Sequence, residues 1–410
     1  MVSARDLFIL VLGAILGVLA QQTYNWLIQR YGHSLARWHA DRLRGSNARS
    51  ALRRQTMRFY QERGLCDSLY TPGDVGANKQ IPILPGDLII PRMVDPYKDG
   101  LFHLASSRSN FPINRKLIRR SVRAGANIFD GEIVYVERVD VEAGTIKKIE
   151  LRRCSFLAFA SLSLQLQRVL RARWRRRTRH VQHFASFQTA ISRPLQPQVL
   201  GCTCVTLFED GSEIFIALAH RSREVMNESA VKSALPSFGV EPNIVGHERS
   251  SYSLIFYNYF KEFAEEFFDV EELVEAAKAR RAHPDWILQL PAVEAIAREA
   301  RNGRLAMEYL GVAIGPADGA FKCALLVRFR SPAFYRKLER DLRANWESSH
   351  GEGNQPSVQF VPLFSPLIDE WADREEIGAT SIFAIDMARR RIKEIKRTAV
   401  QAPTKPKHRQ

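Results

Sequence analysis

Cysteine is scarce in this chain of 410 residues: Cys66, Cys154, Cys202, Cys204 and Cys323 are all it has. Five, an odd number, do not build a disulfide framework, so a reducing compartment is expected for the bulk of the chain. Cys202 and Cys204 form a C-x-C, but no further ligands stand at finger-like spacing, which excludes a zinc finger. Two small residues on one face of a strand are expected there. Repeated long apolar runs are lacking too, which excludes a polytopic membrane protein, and a hydrophobic content of 45% excludes a wholly disordered chain. Gly311, Gly315 and Gly319 do not follow the order of a P-loop or a dinucleotide fingerprint. No serine has a nucleophile-elbow context. His220, His247 and His283 have no metal-ligand spacing and are expected at the surface or in caps. There is no internal repeat.

Acidic charge is in deficit: Asp+Glu 44 against Lys+Arg 60, a net charge of +16. Such an excess implies an anionic partner, whether nucleic acid, nucleotide phosphate or anionic lipid. The strict apolar run Leu7–Ala20 has 14 residues, and with Tyr24, Trp26, Leu27 and Ile28 it extends to 22. That suffices for one span with an aromatic belt at its end. The small-residue site at Val18-Leu19-Ala20 would suit a cleaved signal peptide. Charge opposes that reading, since only Arg5 precedes the run and Arg30, Arg37, Arg42, Arg44, Arg49, Arg53, Arg54 and Arg58 follow it. The expectation is a single-pass transmembrane anchor over 1–29, N-terminus outside, with the remaining domains cytoplasmic.

Residues 30–65 read as a basic helical stalk, placed to meet an anionic membrane surface. Residues 66–155, rich in proline and β-branched residues, read as a small β-rich module with a hairpin across Glu142-Ala143-Gly144. Residues 156–199 form an Arg-rich connector with seven arginines between Arg168 and Arg179 around Trp174. This run could meet a phosphate backbone, a membrane surface or only solvent. From 200 to 397 the pattern is α/β: strands at Cys202–Phe208 and Ile214–Ala219, helix over Leu254–Leu310 with breaks, strands at Gly311–Ile314, Cys323–Phe329 and Val358–Leu363, and a final helix over Glu376–Arg397. Residues 398–410 are a basic tail.

The informative stretch is Phe260-Lys261-Glu262-Phe263-Ala264-Glu265-Glu266-Phe267-Phe268. On a helix, Glu262, Glu265 and Glu266 share one face at i, i+3 and i+4, with the phenylalanines opposite. Partly buried, three carboxylates need a counter-charge, and Mg²⁺ or Mn²⁺ suits hard oxygen donors. A solvated acidic face without metal is the alternative.

This stretch resembles the helix signature of the Nudix hydrolase superfamily, R-E-U-x-E-E-x-G-U, with Lys261 at the Arg position. Leu235-Pro236-Ser237-Phe238-Gly239-Val240-Glu241 looks like the turn that precedes the family's loop, and Arg221 follows the second strand where members carry a basic residue. Two departures stand out. Phe268 replaces the Gly after E-E, and Gly239 to Lys261 spans 22 residues, longer than the family loop, leaving Glu248 as the candidate for the loop carboxylate. The resemblance implies an α/β/α sandwich and a Mg- or Mn-dependent pyrophosphohydrolase acting on a nucleotide-diphosphate-type ligand. Glu262, Glu265 and Glu266 would be its metal ligands and catalytic residues. Arg221 and Arg223 would contact substrate phosphate, and the base would be one carboxylate of this set or, from a late loop, Glu370, Glu375 or Glu376. The same resemblance is compatible with a catalytically inactive binding module. Anchor plus Nudix-like domain is similar in layout to effectors of bacterial cyclic-nucleotide antiphage systems. A basic nucleic-acid-binding membrane protein and a homo-oligomer stay open.

Overall fold

The computed structural model describes residues 46–76, 79–123, 126, 128, 130–171, 185–192, 197–221, 231–268, 283–342 and 358–401. Among them the elements run α1 (Ser46–Gln61), β1 (Leu84–Pro85), β2 (Phe102–Arg108), α2 (Arg115–Arg123), β3 (Glu132–Glu142), β4 (Thr145–Ser155), α3 (Phe156–Arg171) and α4 (Phe187–Ser192). Then come β5 (Gln198–Asp210), β6 (Glu213–His220), β7 (Lys232–Ala234), β8 (Ser237–Gly239), β9 (Ile244–Val245), β10 (Glu248–Arg249) and α5 (Leu254–Phe268). The chain continues through α6 (Pro291–Arg301), β11 (Leu305–Ile314), β12 (Phe321–Phe329), α7 (Pro332–Asp341), β13 (Val358–Pro362), α8 (Pro366–Asp373) and α9 (Ala379–Gln401).

The fold is mixed α/β. An 11-stranded sheet runs β1-β11-β12-β5-β3-β4-β2, with β6 and β8 branching from β5, and β7 and β13 flanking β6. The β5–β12 and β2–β4 pairs are parallel and the other pairs antiparallel. Alternation along β5 divides the core. Cys202, Cys204 and Phe208 point into the cluster that holds α5, α6 and α7, whereas Val205 and Leu207 point into the one that holds α8 and α9. The sheet therefore carries helices on both faces.

The segment 66–155 joins this same sheet. Tyr135 and Val136 of β3 pair with Val199 and Gln198 of β5, and Leu84 and Pro85 of β1 pair with Ile314 and Ala313 of β11. Its hairpin falls where expected: Ala143 (φ 48°) and Gly144 (φ 74°) both take left-handed backbone between the paired Glu142 and Thr145. A further tie crosses from this segment to α9. Buried Asp386 accepts from Tyr70 Oη and from the Asp74 amide, both at 2.5 Å, and from Arg390 at 2.8 Å.

One expectation needs correction. Leu305–Leu310 is strand, not helix: Gly303 (φ 65°) ends α6, and nine backbone pairs then lock β11 onto β12. Gly311 lies in β11, and Gly315 and Gly319 lie in the turn that joins it to β12. Gly319 N–H donates to Gly315 O at 2.7 Å, closing the turn. The expected stalk is helical at α1. The expected anchor over 1–29 lies outside the described residues, and among the described residues no helix is long and apolar enough to cross a membrane.

Candidate functional site

The helix α5 begins where an acid caps it. Asp99 Oδ1 accepts from the Leu254 amide at 2.6 Å, satisfying one of the donors that a helix start leaves unpaired. Its aromatic residues anchor it: Phe256, Tyr259, Phe260, Phe263 and Phe267 are all buried, with Phe263 stacked on Phe267 at a centroid distance of 4.2 Å. Such burial of aromatic surface supplies most of the stability that can hold charged groups in place nearby.

Glu262, Glu265 and Glu266 do share one face of α5, and that face is turned inward. Glu265 is 6% exposed and Glu266 4%. Lys261 sits among them. Its Nζ is 2.9 Å from Glu241 Oε2, 3.8 Å from Glu262 Oε1 and 3.8 Å from Glu265 Oε1. Glu266 takes a different partner, accepting from the Ser237 amide at 3.3 Å. The Ser237 carbonyl accepts from Arg221 Nη1, also at 3.3 Å. One residue of the turn thus bridges the acidic helix to the basic side chain after β6.

Glu241 is held in this cluster by Asn258. The fully buried Asn258 donates to Glu241 O at 2.9 Å and accepts from Glu241 N at 2.8 Å, one turn before Lys261. Together the cluster brings three carboxylates to one lysine, with Glu266 and Arg221 meeting at Ser237 beside it. Burial, and next the Glu265 charge, push the Glu262 carboxyl well above the usual carboxylate range. Burial alone would lower the Lys261 ammonium, but Glu241, Glu265 and Glu262 outweigh it and hold its pKa well above the ordinary lysine value. Below the helix, burial keeps the Cys202 and Cys204 thiols far up, so they are inert small residues on one strand face.

The remaining expected residues lie elsewhere. Glu248 is exposed on β10, 3.9 Å from His283 Nε2, and it is Glu241 that stands beside Lys261. Glu370 pairs with Arg374, Glu375 with Arg53 and Glu376 with Lys232. These three belong to α8 and the turn after it, across the sheet from α5. Arg223 lies outside the described residues, as does the arginine run around Trp174 apart from Arg168 and Arg171 at the end of α3. His283 caps a short 3₁₀ turn by accepting from the Asp285 amide. The sequence reading missed Asn258 as the device that sets Glu241. Its signal was a lone amide inside an aromatic helical run, which must bond to something once buried.

The donor chemistry of Glu262, Glu265 and Glu266 suits a hard divalent cation. Among the described residues, however, no three His, Cys, Asp or Glu groups converge closely enough to hold a metal ion. Comparison with protein-family models and with curated proteins finds no match to this chain.

Proposed function

We propose that this chain is a divergent Nudix-like module, held at a membrane by residues 1–29, that acts on or senses a nucleotide-diphosphate-type ligand at the acidic face of α5. The observation that carries this reading is the gathering of carboxylates on that face. Glu241, Glu262 and Glu265 stand within ion-pair distance of Lys261, and Glu266 beside them accepts from the Ser237 amide. Inward-facing carboxylates gathered in this way suit a cation, and Mg²⁺ or Mn²⁺ arriving with a diphosphate would supply it. Glu262, Glu265 and Glu266 would have to draw together to hold the ion, which would supply neutralisation of phosphate charge. Arg221, already turned toward Ser237, and Arg223 would meet phosphate oxygens. The sandwich of helices about the sheet, with β5 and β6 leading into the Pro236 turn and α5, supports the Nudix-like reading of the fold. A role as an effector in cyclic-nucleotide antiphage signalling rests on layout alone.

A second reading, a binding module without turnover, is favoured by a specific observation. Lys261 already stands at the centre of the carboxylates, where it offsets part of the charge that a metal would otherwise neutralise. The test is a panel of nucleoside diphosphate derivatives offered to the full chain with Mg²⁺ or Mn²⁺. Metal-dependent phosphate release that disappears in E265Q and E266Q supports an enzyme. Binding that survives those changes, without turnover, supports the sensor. Steep salt-dependent binding to arbitrary DNA with no nucleotide response would replace both with a nucleic-acid reading.

A further inference from the structure

The helix α2 lies in the segment where the sequence offered no legible chemistry, and its charge is extreme. Five of its nine residues, Arg115, Lys116, Arg119, Arg120 and Arg123, are basic and none is acidic. All five are exposed, while Ile118 and Ser121 are buried beneath them. Their spacing, at i, i+1, i+4, i+5 and i+8, gathers them on one outward face. Among the described residues none of the five side chains has an ion-pair or hydrogen-bond partner.

This arrangement does nothing for the helix itself. Arg115–Arg119, Lys116–Arg120 and Arg119–Arg123 are like-charge pairs at i, i+4, which repel. Arg115 and Lys116 stand in the first turn, the end where the helix dipole disfavours cations. The helices around it add no relief. α2 packs on α3, with Ser161 accepting from the Asn114 amide at 2.8 Å, and α3 packs on α1. Neither α1 nor α3 contains an acidic residue, and exposed Arg54 and Arg168 add to their charge.

We infer that the outward face of α2 is a docking surface for an anionic lipid bilayer. Two features favour lipid over nucleic acid. The face carries no aromatic ring on which a base could stack, and it does expose Val122, 46% accessible, which suits the apolar edge of a headgroup layer. The chain also places the apolar run Leu7–Ala20 just 25 residues before the start of α1. The inference stands apart from the acidic site on α5 and does not depend on a ligand there.

The test uses the full chain labelled through Val122→Cys with an environment-sensitive dye, in a Cys66→Ser background because the other four cysteines are buried. It is mixed with vesicles of phosphatidylcholine, or of phosphatidylcholine with phosphatidylserine. The expected result is a blue shift with the anionic vesicles only, lost at high salt. Each basic side chain near such a surface strengthens binding about fivefold, so R119E/R120E should weaken the response by more than about tenfold. A melting curve checks that this variant folds, and R115Q/R123Q replaces it if not. An equal shift with neutral vesicles, or a larger one with duplex DNA than with anionic vesicles, overturns the inference.

Discussion

Removing the lysine at the centre of the acidic cluster is the most direct probe of what that cluster needs. In K261M the stem volume is kept and the charge is lost. At an effective dielectric of about 20, the 2.9 Å contact with Glu241 is worth about 6 kcal/mol and each 3.8 Å contact about 4, before desolvation is subtracted. Burying an ammonium cancels several of these, and partly exposed Glu241 is screened. Glu262, with its carboxyl pushed up by burial, contributes less than its distance implies. A net loss of about 3 kcal/mol at pH 7.5 follows, the lower end for breaking a buried pair. The loss should shrink toward pH 5. A carboxyl raised in the folded state keeps its proton after the unfolded chain has lost it, so its favourable contribution is complete below the ordinary carboxylate range and disappears as pH rises through the folded value. Without Lys261 that folded value climbs further, and acid relieves the repulsion. Urea unfolding at several pH values measures this. Added Mg²⁺ or Mn²⁺ should stabilise K261M by about 2.7 kcal/mol at a hundredfold excess over its Kd, and the parent by less. A loss that is the same at pH 5 and 7.5, or below about 1 kcal/mol throughout, would refute the idea that Lys261 balances buried charge.

Three further outcomes are expected. E262Q should stabilise the protein at pH 7.5 and flatten its pH dependence, because each pH unit over which native Glu262 alone stays protonated is worth about 1.4 kcal/mol; an unchanged pH profile in urea titrations would count against this. D386A should cost about 3–5 kcal/mol in thermal or urea unfolding, since it orphans Tyr70 Oη, the Asp74 amide and Arg390 at once, and a cost under 1 kcal/mol would show that the tie is ornamental. N258A should destabilise by about 2 kcal/mol and release Glu241 from Lys261; a double-mutant cycle with Glu241→Gln tests this, and simple additivity would contradict it.

The acidic helix was legible because its chemistry is local. Three carboxylates at i, i+3 and i+4 fall on one face whatever surrounds them, and the phenylalanines at 260, 263 and 267 mark the helix as buried. The β3–β4 hairpin was legible for the same reason, Ala143 and Gly144 being positioned by a two-residue turn. Long-range pairings were not. That Glu241 and not Glu248 meets Lys261 depends on Asn258 bonding across the loop, and the pairing of β3 with β5 joins residues some sixty positions apart. The strand at Leu305–Leu310 was read as helix because its apolar run is nearly continuous, a pattern that suits either state until a partner strand selects one.

The pairing of β1 with β11 and of β3 with β5 bears on how the protein can be divided for study. A fragment beginning at Gly201 would strip β11 and β5 of those neighbours and leave Asp386 facing empty space where Tyr70 and Asp74 belong. Bare strand rims of that kind recruit one another and precipitate. Any shortened version meant for crystals should therefore keep everything from α1 onward, and trimming is best confined to residues ahead of Ser46.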